Sequence, residues 1–346
     1  MISCRKLIST ASLVFFQFFI MENTMAQYSQ LAAHKPDSIP KYPYKFPIWG
    51  DKAAAKGFNI PYPAGIMLNT FLGKSSIEIS NLQLGFQNAD HDIPLTPVEI
   101  IEFGKNTATI KNINLRPDLY ILPFWDLYGI FGYTEGKTGV SLTSPVAFNT
   151  TANLKGYTYG FGSTFAGGLG KYFIVGDFNW QWSKLDILEK PASSNIMSYR
   201  IGRSFPFKQN KQSNVAFWAG AMRMQIGSKT EGKVKLGDVI PPEVWERKDE
   251  FVQRYFDWYN SLGNSPGDIK KKELADKVLT PIVESIDAKD GSGTVSYSLS
   301  KKPTHKWNMI VGGQYQVNKH WQFRTEVGFF GERTQGLLSA NYRFGW

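Results

Sequence analysis

The sequence predicts an all-β fold: a transmembrane antiparallel up-and-down β-barrel of about ten strands, with an external helical insertion. Three observations carry this. From about Gly65 the hydrophobic pattern has period two, in segments of ten residues or more, the length a tilted membrane strand needs. Bulky side chains, with Tyr and Trp near strand ends, take one face, while Gly, Asn, Gln and Arg take the other, as on the lipid and luminal faces of a barrel. No stretch reaches 18 consecutive apolar residues, which excludes a polytopic helical membrane protein.

Composition agrees. The 346 residues include 32 Gly and 15% aromatics, too apolar a chain for disorder. A single Cys excludes a disulfide framework and a Cys-rich metal site. The formal charge is +10, but Lys and Arg are spread over strands and turns, so no nucleic-acid surface is outlined.

Residues 1–26 read as a secretory signal. Arg5 and Lys6 form the positive start, Leu7 to Ile20 the apolar core, and Thr24-Met25-Ala26 the small-residue site for cleavage before Gln27. Cys4 precedes the apolar core, the wrong side for lipidation. The mature chain then lacks cysteine, which suits an oxidising envelope. Residues 27–63, with Lys35-Pro36, Ile39-Pro40, Tyr42-Pro43 and Phe46-Pro47, form an extended lead-in, either periplasmic or tucked into the lumen.

The barrel occupies 64–346. Its strands are read at 65–82, 108–122, 125–138, 155–169, 171–185, 195–206, 213–229, 306–317, 320–331 and 334–346. A break at Gly73-Lys74-Ser75 plus one more strand within 40–60 would give twelve, since single-chain bacterial barrels have even counts. The last strand shows the pattern most clearly: Leu338, Ala340, Tyr342, Phe344 and Trp346 oppose Ser339, Asn341, Arg343 and Gly345. A soluble sandwich also alternates, but strand length, aromatic ends and the Gly- and Arg-bearing polar face favour the membrane. With the last strand running toward the periplasm, parity puts periplasmic turns at Pro123-Phe124, 169–170, 207–212 and 317–319, the first, second and fourth of them short. It puts 83–107, 139–154, 186–194 and 230–305 outside, the expected asymmetry of long external loops. The segment 230–303 breaks the period. Phe251, Val252, Tyr255, Phe256, Tyr259 and Leu262 have helical spacing, as more weakly do Leu274, Val278, Ile282 and Ile286. They predict a helical hairpin joined at Gly263–Gly267.

Several segments resemble a group of Gram-negative outer-membrane barrels of unassigned function. They are Arg116-Pro117-Asp118 leading to Leu122-Pro123-Phe124-Trp125-Asp126-Leu127-Tyr128-Gly129, then Trp307-Asn308 with Gly312-Gly313. Glu326-Val327-Gly328-Phe329-Phe330-Gly331-Glu332-Arg333 and the Tyr342-Arg343-Phe344 ending complete the set. The resemblance spans about 57–346 without the 230–303 insertion. It implies a bacterial outer-membrane location, and lipid, lipopolysaccharide and the barrel assembly machinery as partners, the last through the C-terminal strand. It implies no catalytic residue.

The inward faces are expected to hold Arg116, Asp118, Asp177, Arg200, Arg223, Arg324, Glu326 and Arg343. Two readings stand: a salt-bridge network that fills a narrow barrel, or Arg rings that favour small anionic solutes in a porin-like or gated pore. Trp245, Phe251, Tyr255, Phe256, Trp258 and Tyr259 of the hairpin are costly to expose and must cover the lumen mouth, the lipopolysaccharide surface or a partner. A surface barrel that does not conduct and binds a partner or ligand through its loops is therefore the alternative function. A rim enzyme acting on lipid or peptide is the third. Its signals are faint: Asp90-His91-Asp92 reads more simply as turn chemistry, and no nucleophile motif frames His305. No catalytic role, metal site or cofactor is expected.

Overall fold

Period-two alternation gives each strand one apolar and one polar face, and a closed sheet sets all faces of one kind inside. Among the described residues, fourteen strands form one antiparallel sheet, and ten of them close into a barrel. The structure, a computed structural model, describes residues 42–345 apart from 57, 59, 170, 211 and 228. The expected signal segment 1–26, the start of the lead-in and Trp346 lie outside the described residues. The strands are β1 (Ala64–Gln87), β2 (Asp92–Pro97), β3 (Glu102–Phe103), β4 (Asn106–Leu122), β5 (Trp125–Ser144), β6 (Phe148–Leu169) and β7 (Tyr172–Leu185). They continue as β8 (Ala192–Pro206), β9 (Asn214–Ile226), β10 (Lys229–Lys235), β11 (Thr294–Pro303), β12 (Trp307–Gln316), β13 (Trp321–Phe329) and β14 (Arg333–Phe344).

Closure is made by β1. The same residues pair with β4 on one side, Ala64↔Leu119 to Ile77↔Asn106, and with β14 on the other, Ala64↔Phe344 to Ser75↔Arg333. Around the barrel the order is β1, β4, β5, β6, β7, β8, β9, β12, β13, β14. These are the ten strands that the alternation marks. The turns after β4, β6, β8 and β12 lie at the end that carries Ala64 and Phe344, called here the terminal end. The longer connections lie at the opposite, loop end.

The loop end is more regular than expected. Past its last partner in β14, β1 bulges between Ser80 and Gln83, with Asn81 in the left-handed region (φ 53). Its remainder pairs with β11 on one side and β2 on the other. β10 adds to β11, β3 adds to β5, and the β5–β6 hairpin extends to Leu142↔Phe148. Parts of 83–107 and 139–154, and both flanks of the 230–303 insertion, are therefore strand rather than loop or helix. A strand that outruns the barrel exposes a row of backbone donors and acceptors, and the adjoining chain folds back to satisfy them.

The helical part of the insertion is 236–287. It comprises α2 (Leu236–Val239), α3 (Pro242–Glu246), α4 (Lys248–Ser261), α5 (Pro266–Leu274), a π-turn (Ala275–Leu279) and α6 (Thr280–Asp287), while α1 (Gly50–Ala55) belongs to the lead-in. Ser265 caps α5 by accepting the Asp268 N–H, with Pro266 beside it at the helix start. The π-turn immediately precedes Pro281, whose ring and missing N–H disrupt a regular α ladder. No helix among the described residues is long and apolar enough to cross a membrane. The lead-in from Tyr42 lies across the terminal end: Ile48 donates to the Ile121 carbonyl at 2.9 Å, and Tyr120 donates to the Pro63 carbonyl at 2.9 Å.

Candidate functional site

Each barrel strand turns alternate residues inward, and the interior they build has polar layers below an apolar chamber. At mid-height, Arg200 on β8 meets Glu326 on β13. The guanidinium donates through Nε at 2.6 Å and Nη2 at 3.1 Å, and both residues are buried. The Trp218 indole donates to the same carboxylate at 2.8 Å, and Arg324 lies 5.1 Å over the Trp218 ring. A second group surrounds Asp177 on β7. Tyr128 and Thr164 hydroxyls each donate to it at 2.9 Å, Asn179 adds a third bond, and Arg116 lies 5.2 Å over the Tyr128 ring.

Two glycines make room for these rings. A Cβ on Gly162 would come within 2.3 Å of Tyr128, and one on Gly312 within 2.6 Å of Trp218. The inward glycines are thus the floor on which inward aromatics lie.

At the terminal end, Arg343 pairs with Asp118 at 2.8 Å and lies 4.5 Å over Tyr120. It also donates to the Tyr62 and Pro63 carbonyls at 3.0 and 3.4 Å, tying the lead-in to the barrel floor. Near the loop end, buried Arg333 donates to Asn308 at 2.7 Å and to the Met222 carbonyl at 3.3 Å. Ile130 and Ile310 are fully buried in the same interior.

Seven of the eight expected inward charges are therefore inside: Arg116, Asp118, Asp177, Arg200, Arg324, Glu326 and Arg343. Arg223 is not. On β9, Ala216, Trp218 and Met222 are the buried set, so Arg223 points out beside Trp307, its register partner, and donates to Gln225 at 3.0 Å. Both faces of β9 carry apolar residues, so hydrophobicity alone does not phase this strand. Arg333 and Asp126, both buried, were missed. Their parity with Arg343 and Tyr128, two strands the alternation phases well, was the available signal.

The insertion's aromatic face is turned inward, over the loop end of the barrel. Tyr255 is 1% exposed and packs with Val98, Ile100, Val146, Val278 and Val283. Phe251, Trp258 and Tyr259 flank it, the Trp245 indole donates to the Ile240 carbonyl at 3.1 Å, and Phe256 alone of the six is exposed. Burial pushes the Tyr255 hydroxyl up to about 12, and it shares a 2.8 Å hydrogen bond with Thr280. Helices α2, α4 and α6 roof a cavity of about 450 Å³ whose walls are the loop-end parts of β1, β5, β6, β10 and β11. Its lining is mostly aliphatic and aromatic, including Leu84, Val140, Phe148, Leu236, Phe251, Ile282 and Leu299.

Asp90-His91-Asp92 forms turn structure: the Asn88 side chain accepts the Asp90 and His91 N–H groups at 3.0 and 2.7 Å. His320 donates from Nδ1 to the Arg343 carbonyl at 2.8 Å and stacks on Tyr342. The outer face carries a belt of exposed apolar residues such as Leu68, Leu115, Phe131, Phe161, Ile201, Val327 and Leu338. Aromatics border it at both ends: Tyr172, Trp321 and Tyr342 at the terminal end, Tyr157, Trp307 and Phe329 at the loop end.

Among solved structures, the chain is similar to the β domain of the Bordetella autotransporter Brka, at 12% identity and a TM-score of 0.31 over 82% of this chain and 100% of that one. It is similar to the translocator domain of the autotransporter NalP from Neisseria meningitidis, at 11% and 0.33 over 82% and 89%. It is also similar to a Pseudomonas aeruginosa FadL homologue, at 10% and 0.24 over 93% and 100%. No family model matches the chain, and no curated protein matches it. TM-scores this low bear on neither ligand nor activity.

Proposed function

We propose that this is a bacterial outer-membrane barrel that does not conduct, and that it binds a ligand in the chamber beneath its loop-end helical cap. The observation that carries the reading is the contrast between the two halves of the interior. Inside the barrel proper stand the Arg200–Glu326 and Arg343–Asp118 pairs, the group around Asp177 and buried Ile130 and Ile310, while the capped loop end carries open apolar volume. Narrow barrels fill their interiors with side chains, and aqueous channels belong to much wider ones.

Membrane residence is supported by the exposed belt and its aromatic borders. From Trp125 to Tyr133 on β5 is eight residues; at ~3.4 Å per residue and a ~40° tilt this spans about 21 Å, near the ~25 Å apolar band of such barrels. The family resemblance in the sequence points to the same compartment. Lipid, lipopolysaccharide and the assembly machinery are the partners this reading implies, and no catalytic role is part of it.

The test is single-channel recording on the chain refolded into a planar bilayer, with heat-modifiable gel mobility as the check on folding. The folded protein is expected to give no discrete current. Discrete, anion-selective current would restore the porin-like reading and overturn this one.

A further inference from the structure

We infer that the chamber under the cap holds a single-chain amphiphile with a carboxylate head, of the long-chain fatty-acid class, its head beside Lys301 and its chain among the cap helices. The inference rests on the reading of a closed barrel with a ligand chamber at its loop end. Its basis is the placement of one charge. On β11, Val295, Tyr297, Leu299 and Lys301 alternate onto the chamber wall. Three belong to an apolar wall, and the fourth is a cation. The other charged residue of the lining, Asp238, is exposed on α2.

Register fixes where the cation sits. Lys301 pairs with Ile79, close to the point where β1 leaves β14, so it lies at the chamber floor, next to the barrel. Leu279, Val283 and Ile286 of the cap belong to the roof. The cavity therefore carries one cation at its floor within a lining that is mostly apolar, a combination that matches the proposed ligand's own chemistry. Its volume of about 450 Å³ lies within the ~300–1,000 Å³ usual for small-molecule sites. A lining this apolar offers water few partners and suits a hydrocarbon chain.

Lysine is also the uncommon choice here. Burial, with no opposing charge, pulls its ammonium below the ordinary lysine value of 10.5. A methionine would fill the same wall without that penalty. A carboxylate beside Lys301 would offset it.

The experiment uses the full chain in nanodiscs and measures binding of palmitate and of the uncharged hexadecanol, by displacement of a fluorescent fatty acid. Palmitate is expected to bind at least about tenfold more tightly than the alcohol, a difference of ~1.4 kcal/mol. Lys301→Met should erase that preference while leaving alcohol binding, and Val283→Trp, which fills the chamber, should abolish both. Equal binding of acid and alcohol by the unaltered protein would overturn the inference. So would absence of binding by protein shown to be folded, or binding untouched by Val283→Trp. The current recordings decide the underlying reading separately: a silent barrel that binds no palmitate sinks only this inference, whereas a conducting barrel sinks the closed-barrel reading itself.

Discussion

Arg200 and Glu326 show what a charge inside this barrel requires. Each is buried and each is the other's partner, with Trp218 and Ser198 completing the hydrogen bonds. Removing one partner strands the other charge, which costs about 3–5 kcal/mol, although replacing both by apolar groups is often neutral. Glu326→Gln is therefore expected to lower the unfolding free energy in urea by that amount, and Arg200→Met with Glu326→Leu to recover most of it. A single replacement that proves silent would mean the pair is not the structural centre of the interior. Arg223→Ala should change stability by less than about 0.5 kcal/mol, because an outward arginine at the rim has lipid headgroup or water beside it. These two arginines also mark how far the sequence could be read at this scale. Arg200 lies in a strand whose Tyr199, Ile201 and Phe205 announce the outer face. In β9, Phe217 and Trp218 are adjacent and equally apolar. Burial and the hydrogen bond from Trp218 to Glu326 place Trp218 inside, and that bond is made between strands far apart in sequence.

At the scale of elements, the ten barrel strands were legible because lipid and lumen impose opposite chemistry on alternate residues. Beyond the rim that contrast ends. Residues 139–154 still alternate, with Val140, Leu142, Val146, Phe148 and Leu154 against Ser141, Thr143, Asn149, Thr151 and Asn153, but Ser144-Pro145 interrupts the run, and the strands read from the pattern end at the rim. In β11 the alternation Val295, Tyr297, Leu299 against Ser296, Ser298, Ser300 is visible, but its meaning depends on β1 being long enough to pair with it. The helices were legible from their period, whereas which of the lumen mouth, the lipopolysaccharide surface or a partner their aromatic face covers was left open, since a buried and a partner-facing stripe look alike in sequence. Tyr255 anchors that face. Tyr255→Ala should loosen the cap by about 3–5 kcal/mol, as for other large buried aromatics, and hydrogen exchange should rise in 248–287 while the barrel strands stay protected. The hydroxyl adds a pH dependence. Its ionisation is raised from 10.0 to about 12 in the folded cap, so the neutral phenol is the form the cap favours. The stabilisation is complete below pH 10 and is lost as pH rises toward about 12. A tyrosinate difference spectrum between the protein and Tyr255→Phe should show one phenol ionising late. Ionisation at the ordinary value would mean Tyr255 is solvated and the cap open.

At the scale of the molecule, the fold divides its interior at the level where β1 exchanges β14 for β11. Below it, a closed sheet wraps polar layers, and Arg343 ties the lead-in across the terminal end. Above it, the sheet opens into extra strands, and the helical insertion supplies the roof. The division gives the molecule a direction, because the cap lies at the end opposite to both chain ends of the barrel. In an outer-membrane barrel with its termini on the periplasmic side, the cap and its chamber face outward, and a ligand reaches them without crossing the lumen. A protease recognition sequence placed in the exposed turn between α4 and α5, at Asn264, reports this directly. Protease added to intact cells is expected to cut there, leaving two fragments that remain together until denatured, because the barrel does not depend on that connection. Cleavage only after the outer membrane is permeabilised would place the chamber on the periplasmic side. The strand pairing would be untouched by that result, but the source of the ligand would have to be the cell interior.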